Sequence, residues 1–275
     1  MTRSARDLSL ERIARAVVKA LDDHVQVPLF SQSSEGLNVS DAYRVTPRLR
    51  AAFEARGERI TGRKIGFTNR DMWDMYGVRA PIWGYCTDRT TCALENSPLR
   101  RVSDFAKPRI EPEIVFGIGS ALHPSMNEAE MLDCIEWISL GYEIVQSIFP
   151  DWKFAAPDTI AANALHGALL IGDRHAIAPR KAAWQRELAS FRAELFCDGK
   201  SSQSGGGEIV MGSPLIALCH LVNLLAEDPC NPPLGAGEIV STGTLTLAMP
   251  VAAGQTWRTK VQGIPLEDIT LQFEA

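Results

Sequence analysis

Residues 108–118 read PRIEPEIVFGI and residues 140–148 read LGYEIVQSI. These two stretches place Glu111, Glu113 and Glu143 in apolar surroundings. Residues two apart on an extended strand point to the same face, so Glu111 and Glu113 converge. Two ionised carboxylates side by side repel unless a proton or a cation sits between them. Behind them Ile114-Val115-Phe116 is apolar, and 113–118 predicts a buried strand. Residues 140–148 predict a second strand, with Glu143 a lone charge that is costly unless it is paired or bound to metal. Solvated glutamates on an edge strand and a salt-bridged Glu143 would read the same way. As ligands, the three would offer hard oxygens, which suit Mg²⁺ or Mn²⁺ better than zinc.

Working outward, Gly62-Arg63-Lys64-Ile65-Gly66-Phe67 reads as a short strand leading into a helical segment at 69–76. Small residues flank Lys64 and let a ligand approach the backbone. Lys64 there could hold a carboxylate or donate a proton, or be an ordinary surface lysine. Further upstream, Leu10, Ile13, Ala14, Val17, Val18 and Leu21 share one face of a helix over 8–22. Ser40 reads as the N-cap of a second helix reaching Gly57, with Pro47 inside it.

Downstream, 126–137 carries a helical pattern, 168–171 a strand, and 187–197 alternates loosely up to the hairpin signal Asp198-Gly199. Residues 201–207 read as a Ser/Gly-rich loop, Pro214 opens an apolar helix, and 238–273 reads as several short strands. Thr242-Gly243-Thr244 could present hydroxyls and N–H groups to an anion. His166 is either an acid/base group or a hydrogen-bonded structural histidine.

The chain has 275 residues, 45% hydrophobic and 22% charged, with a formal charge of -5. That is enough to bury a full core, and the balance argues against nucleic acid or an anionic membrane as partner. The six cysteines form no CxxC pair and read as buried thiols of a reducing compartment. Charges interrupt the N-terminal stretch where a signal peptide needs an apolar run, and no run approaches the ~18 apolar residues of a membrane span. The expectation is a soluble, cytoplasmic protein.

Gly62-Arg63-Lys64-Ile65-Gly66-Phe67-Thr68, Tyr76-Gly77-Val78, Pro81-Ile82-Trp83-Gly84 and the strand at 108–114 resemble, in order and spacing, the hydratase/decarboxylase branch of the fumarylacetoacetate hydrolase superfamily. Tyr142-Glu143-Ile144-Val145, Asp151-Trp152-Lys153, Gly212-Ser213-Pro214 and the stretch 237–244 continue the resemblance, which spans about residues 40–273. It implies an α+β fold with a small helical N-terminal region, 1–78, packed on a mixed β-roll catalytic domain, 79–275. It also implies that Glu111, Glu113 and Glu143 bind Mg²⁺ or Mn²⁺, that Lys64 is an active-site lysine, and that the chain forms homo-oligomers.

The activity expected from the resemblance is metal-dependent hydration of a 2-hydroxydienoate, a small 2-oxo acid substrate in its enol form, with Thr244 positioning it. Rivals are decarboxylation of an oxalocrotonate-like diacid, C–C hydrolysis of an acylpyruvate, and a catalytically silent member. A diacid would need a further cation, for which Arg63, Arg70, Arg79 and Lys153 are the candidates. Two positions depart from the hydratases, Ile82 and Ala162, each standing where an aspartate is common. His166, beside the second, is the candidate for compensating acid/base work.

Overall fold

The computed structural model describes residues 4–275; residues 1–3 of the expected N-terminal region lie outside them. Helices α1 (Ala5–Asp23) and α2 (Val39–Ala55) pack side by side and run the same way, with Arg6 paired to Asp41 near their starts and Asp22 paired to Arg56 near their ends. Ser4 caps α1 by accepting from the Asp7 N–H, and Leu10, Ile13, Ala14, Val17 and Ala20 are buried on one face. Asn38, not Ser40, caps α2 by accepting from the Asp41 N–H. Pro47 removes the amide that would bond the Tyr43 carbonyl. The Thr46 hydroxyl donates to that carbonyl instead, at 2.8 Å, and the helix continues through the proline.

The rest of the chain builds two sheets. It runs β1 (Ile60–Gly66), α3 (Trp73–Tyr76), β2 (Ile82–Thr87), β3 (Thr91–Ala93), β4 (Leu99–Arg101) and β5 (Arg109–Ile118). Then come α4 (Glu128–Cys134), β6 (Ile135–Val145), α5 (Ala156–Ala161), β7 (His166–Ile171), β8 (His175–Ala176) and α6 (Lys181–Ser190). Last are β9 (Arg192–Cys197), β10 (Lys200–Gly206), α7 (Pro214–Ala226), β11 (Ile239–Thr244), β12 (Met249–Pro250), β13 (Thr256–Gln262) and β14 (Ile269–Glu274).

The larger, nine-stranded sheet has the path β2-β1-β11-β5-β6-β7-β3, with β12 on β5 and β8 on β6; the second has the order β10-β9-β13-β14-β4. Strand β1, below residue 78, is thus an inner strand of the large sheet. The sum is the α+β architecture expected, helices packed on a curled mixed sheet.

Three local expectations are corrected. The helical pattern at 126–137 ends at Cys134, because β6 pairs along its length with β5. There the Trp137 ring lies over Gly117, where a Cβ would meet it at 2.0 Å. Residues 181–190 are helical, with Trp184 and Leu188 buried one turn apart, so only 192–197 of the loosely alternating stretch is strand. The Ser/Gly-rich stretch is strand β10, because the Asp198-Gly199 turn returns it onto β9, with a register shift between Ser201 and Gln203. Long-range pairing overrides composition in each case.

Candidate active site

Strands β5, β6, β1 and β11 converge on one cluster. Glu111 and Glu143 stand directly opposite each other in the β5–β6 ladder, and Glu113 is opposite Gly141. Carboxylate oxygens of Glu111, Glu113 and Glu143 all lie within 4.8 Å of one another, the acidic cluster found among the described residues. Glu113 and Glu143 are fully buried, while Glu111 is partly reachable from a cavity of about 280 Å³. Pro112 is tolerated in this inner strand because the β11 ladder shifts register between Ser241 and Thr244. The Pro112 carbonyl accepts from the Leu245 N–H beyond that shift.

Each buried carboxylate is hydrogen-bonded through one oxygen only. Glu113 Oε2 accepts from Ser241 Oγ and from the Gly243 N–H at 2.9 Å, while Oε1 has no hydrogen-bond partner. Gly243 has φ +105°, and a Cβ there would lie 2.0 Å from Thr68 Oγ1, so both conformation and space require glycine. Glu143 Oε1 accepts from His166 Nδ1 at 2.8 Å. Its Oε2 faces Lys64 Nζ at 3.1 Å as an ion pair without hydrogen-bond alignment. Buried polar atoms are normally satisfied, so bare oxygens converging on one point fit a bound cation. An all-carboxylate set suits a hard divalent ion.

Lys64 sits on β1, buried, and Nζ also donates to the Ala164 carbonyl at 2.9 Å. That carbonyl is aimed by Asn163, Ala164 and Leu165, three consecutive residues with φ between 52° and 63°. Such a conformation is strained for non-glycine residues and persists only where surroundings impose it. Here Asn163 imposes it. Its Oδ1 accepts from the Tyr85 N–H at 2.8 Å and its Nδ2 donates to the Tyr85 carbonyl at 2.9 Å, in the manner of a strand partner for β2. Gly84 leaves room for this approach, since a Cβ there would meet the Asn163 carbonyl at 2.3 Å.

The electrostatics follow from burial and proximity. Burial, then the charge of Glu143, lifts Glu111 from 4.5 to about 7, with Lys64 and Arg109 pulling the other way. Burial and the neighbouring Glu143 and Glu111 push Glu113 well above the carboxylate range. Burial also opposes ionisation of Glu143, but Lys64 and His166 outweigh it and hold its pKa low. Lys64 is raised: burial lowers it, and the three carboxylates more than compensate. For His166, burial opposes the cation while Cys86 and Glu143 favour it, and the balance reaches about 10.

Of the residues singled out from the sequence, Lys64, Glu111 and Thr244 line the cavity, with Glu113 and Glu143 in the cluster at its closed end. Thr244 Oγ1 donates to the Thr246 carbonyl. His166 does not line this cavity. It lies behind Glu143, with Nε2 2.9 Å from Thr90 Oγ1, and reaches a second, polar hollow on the far side. Ile82 stands on the cavity wall, and Ala162 is buried in the turn beside Asn163.

Arg63 is fully buried, paired with Glu238 at 3.0 Å and stacked on Tyr85. Neither it nor Arg70, Arg79 or Lys153 lines the cavity; Arg109 does. Sequence reasoning missed Arg109, Thr68, Ser241 and Asn163. For Arg109 a signal was available, since it precedes Glu111 by two residues on the same strand face.

Residues 64–268 match the family model described as the fumarylacetoacetate (FAA) hydrolase C-terminal domain. The chain is 30% identical over 254 residues to the 2-hydroxyhexa-2,4-dienoate hydratase of Comamonas testosteroni, covering 92% of this chain and 90% of that protein. It is 27% identical to a 4-oxalocrotonate decarboxylase of Pseudomonas sp, covering 94% and 96%. Among solved structures, the 4-oxalocrotonate decarboxylase from Pseudomonas putida G7, complexed with magnesium and adipate, superposes with a TM-score of 0.88 at 25% identity, covering 99% of this chain and 100% of that one.

Proposed function

Because the chain belongs to the fumarylacetoacetate hydrolase family, we propose that it is a divalent-metal-dependent hydratase adding water to a short 2-hydroxydienoate, giving a 4-hydroxy-2-oxo acid. The observation that carries this reading is the closed end of the cavity, where three carboxylates and Lys64 meet beneath otherwise apolar walls. Glu111, Glu113 and Glu143 would hold Mg²⁺ or Mn²⁺, which supplies Lewis-acid stabilisation to a 2-oxo acid's oxygens.

The chain's own residues do the rest. Lys64, fixed between Glu143 and the Ala164 carbonyl, places a cation beside the charge that develops on the 2-oxo oxygen. His166 and Thr90 hold Glu143 from behind as positioning groups. Ile65, Phe67, Ile82, Val145 and Leu165 receive the diene and exclude bulk water. Thr68 lines the same wall with Oγ1 lacking a protein partner, and with Asn69 and Thr244 it offers polar contacts for the incoming water. Protonating the far end of the dienol and adding hydroxide at the neighbouring carbon consumes one water and gives the enol of the product, which becomes the 4-hydroxy-2-oxo acid as the enol hydroxyl loses its proton and C3 gains one.

Decarboxylation is the second reading, favoured by the aliphatic Ile82 on the cavity wall and by the similarity to the decarboxylase that binds adipate. An ultraviolet assay with Mg²⁺, offering 2-hydroxypenta-2,4-dienoate and 4-oxalocrotonate side by side with products weighed by mass spectrometry, separates the two. Gain of one water by the dienoate is the expected result. Loss of CO₂ from the diacid with the dienoate untouched would overturn the hydratase reading in favour of the second.

A further inference from the structure

Two cations line the cavity beside Glu111, and each is tied away from it. Lys64 Nζ is engaged by Glu143 and by the Ala164 carbonyl. Arg109 precedes Glu111 by two residues on β5, so the two side chains leave the same face with Cα atoms roughly 7 Å apart. An arginine is long enough to close that gap and form a forked, charge-assisted pair. Among the described residues, however, Arg109 pairs with no carboxylate. Its Nε is buried without a hydrogen-bond partner, and the guanidinium lies over the Trp152 indole, 4.1 Å from the ring centroid.

The indole is itself fixed. Trp152 Nε1 donates to the Lys107 carbonyl at 3.0 Å. Asp151 and Trp152 both have φ 56°, and Lys107 has φ 51°, left-handed conformations that are strained for such residues. Strain of this kind persists only where the surroundings impose it, and the Trp152–Lys107 hydrogen bond joins the two strained stretches. The ring stands where the cavity meets an outer hollow walled by Lys107, Pro108 and Pro250.

We infer that Trp152 is a positioning residue for the metal site: by holding the Arg109 guanidinium against its ring, it keeps Arg109 from collapsing onto Glu111 and keeps that carboxylate open to a divalent cation. The inference rests on the proposed reading of Glu111, Glu113 and Glu143 as the ion's ligands. The charge of Arg109 is already felt at Glu111 across the gap, where it opposes the effect of burial. Closing the gap would turn that attraction into a direct pair, which an incoming Mg²⁺ must break.

The test is calorimetric titration of the chelator-treated full chain with Mg²⁺. Trp152→Leu frees the guanidinium, and a charge-assisted pair is worth roughly tenfold or more in affinity, so Mg²⁺ should bind about tenfold more weakly. Trp152→Phe keeps an aromatic face for the guanidinium and should stay within about threefold of wild type. Arg109→Met alone should bind Mg²⁺ at least as tightly as wild type, and added to Trp152→Leu it should abolish the loss. A merely structural tryptophan would weaken binding whether or not position 109 is charged. Wild-type affinity in Trp152→Leu would therefore overturn the inference, as would a loss that persists in the double variant. A crystal structure of ion-free Trp152→Leu separates this inference from the reading it rests on. Arg109 should be paired with Glu111 there, and its absence from Glu111 would again overturn the inference. If the pair is present while Glu111→Gln binds Mg²⁺ as wild type does, the metal assignment is refuted and the hold of Trp152 on Arg109 stands.

Discussion

Removing the charge of Glu111 should stabilise the ion-free protein, and by an amount that depends on pH. The folded pKa of Glu111 lies at about 7 against a reference of 4.5, chiefly because burial beside Glu143 penalises the anion. A carboxyl with a raised folded pKa contributes stability in full below the unfolded value and loses it as pH rises through the folded one. The shift, at ~1.36 kcal/mol per unit, corresponds to about 3 kcal/mol of destabilisation at pH 8, and under about 1 kcal/mol remains at pH 5. Water reaching Glu111 from the cavity screens part of this, so about 3 kcal/mol is an upper bound.

Glu111→Gln keeps the shape and removes the charge. In chelator-treated protein the variant should therefore melt higher than wild type at pH 8. At roughly 2–4 °C per kcal/mol for a chain of this size, the gap should be at most about 6–12 °C and shrink to a few degrees or less at pH 5. Saturating Mg²⁺ should raise the wild-type melting temperature at pH 8 and move the variant far less, since only wild type offers the full anionic set. Scanning calorimetry at the two pH values, with and without Mg²⁺, measures all of this. A gap independent of pH, or a wild type that outlasts Glu111→Gln without Mg²⁺ at pH 8, would refute the claim that this cluster is frustrated without a cation.

Other substitutions probe other links. His166→Ala removes the donor that orients Glu143 and should weaken Mg²⁺ binding about 10–100-fold by titration calorimetry; unchanged affinity would make His166 a bystander. Asn163→Ala strips both backbone groups of Tyr85 of their partner and should destabilise by about 2–4 kcal/mol in urea denaturation. Gly84→Ala pushes a methyl against the Asn163 carbonyl and should cost about 1–3 kcal/mol, with kcat falling further because Lys64 loses its anchor. Thr46→Val leaves the Tyr43 carbonyl bare beside Pro47 and should cost about 1–2 kcal/mol in the same denaturation assay, with no effect on turnover.

What could be read from the letters was what depends on short spacing. The i,i+2 relation of Glu111 and Glu113 declares a shared face on any strand, and the apolar run behind them declares burial. The opposition of Glu111 and Glu143 requires the β5–β6 register, which family resemblance implied and spacing alone could not. Asn163 lay beyond reach altogether. Its role depends on three positive φ angles and on a partner 78 positions away in the chain. The Ser/Gly content of β10 spoke for a loop, because nothing local reveals that a neighbouring strand will use its backbone. His166 illustrates the other limit. Its neighbourhood in sequence suggested the cavity, whereas its side chain supports Glu143 from behind.

The cluster carries three carboxylates against one lysine, with one imidazolium touching Glu143 alone. The fold neutralises Glu143 fully and hydrogen-bonds half of Glu113, then leaves Glu111 to the cavity. A purely structural network would be expected to finish the task, because a half-satisfied buried polar group is worse than an apolar one. Here the unfinished side is the one that faces the cavity, where Lys64 and Arg109 are the cations among a mainly apolar lining and together leave Glu111 with a raised pKa. The deficit must therefore be met by protons at low pH or by a cation near neutrality. Stability given up in the ion-free chain reappears as affinity for the ion, since binding relieves the repulsion that burial created. The same logic explains why Lys64 is anchored by a strained turn. A lysine free to swing would fold down onto Glu111 and Glu113, into the position proposed for the ion.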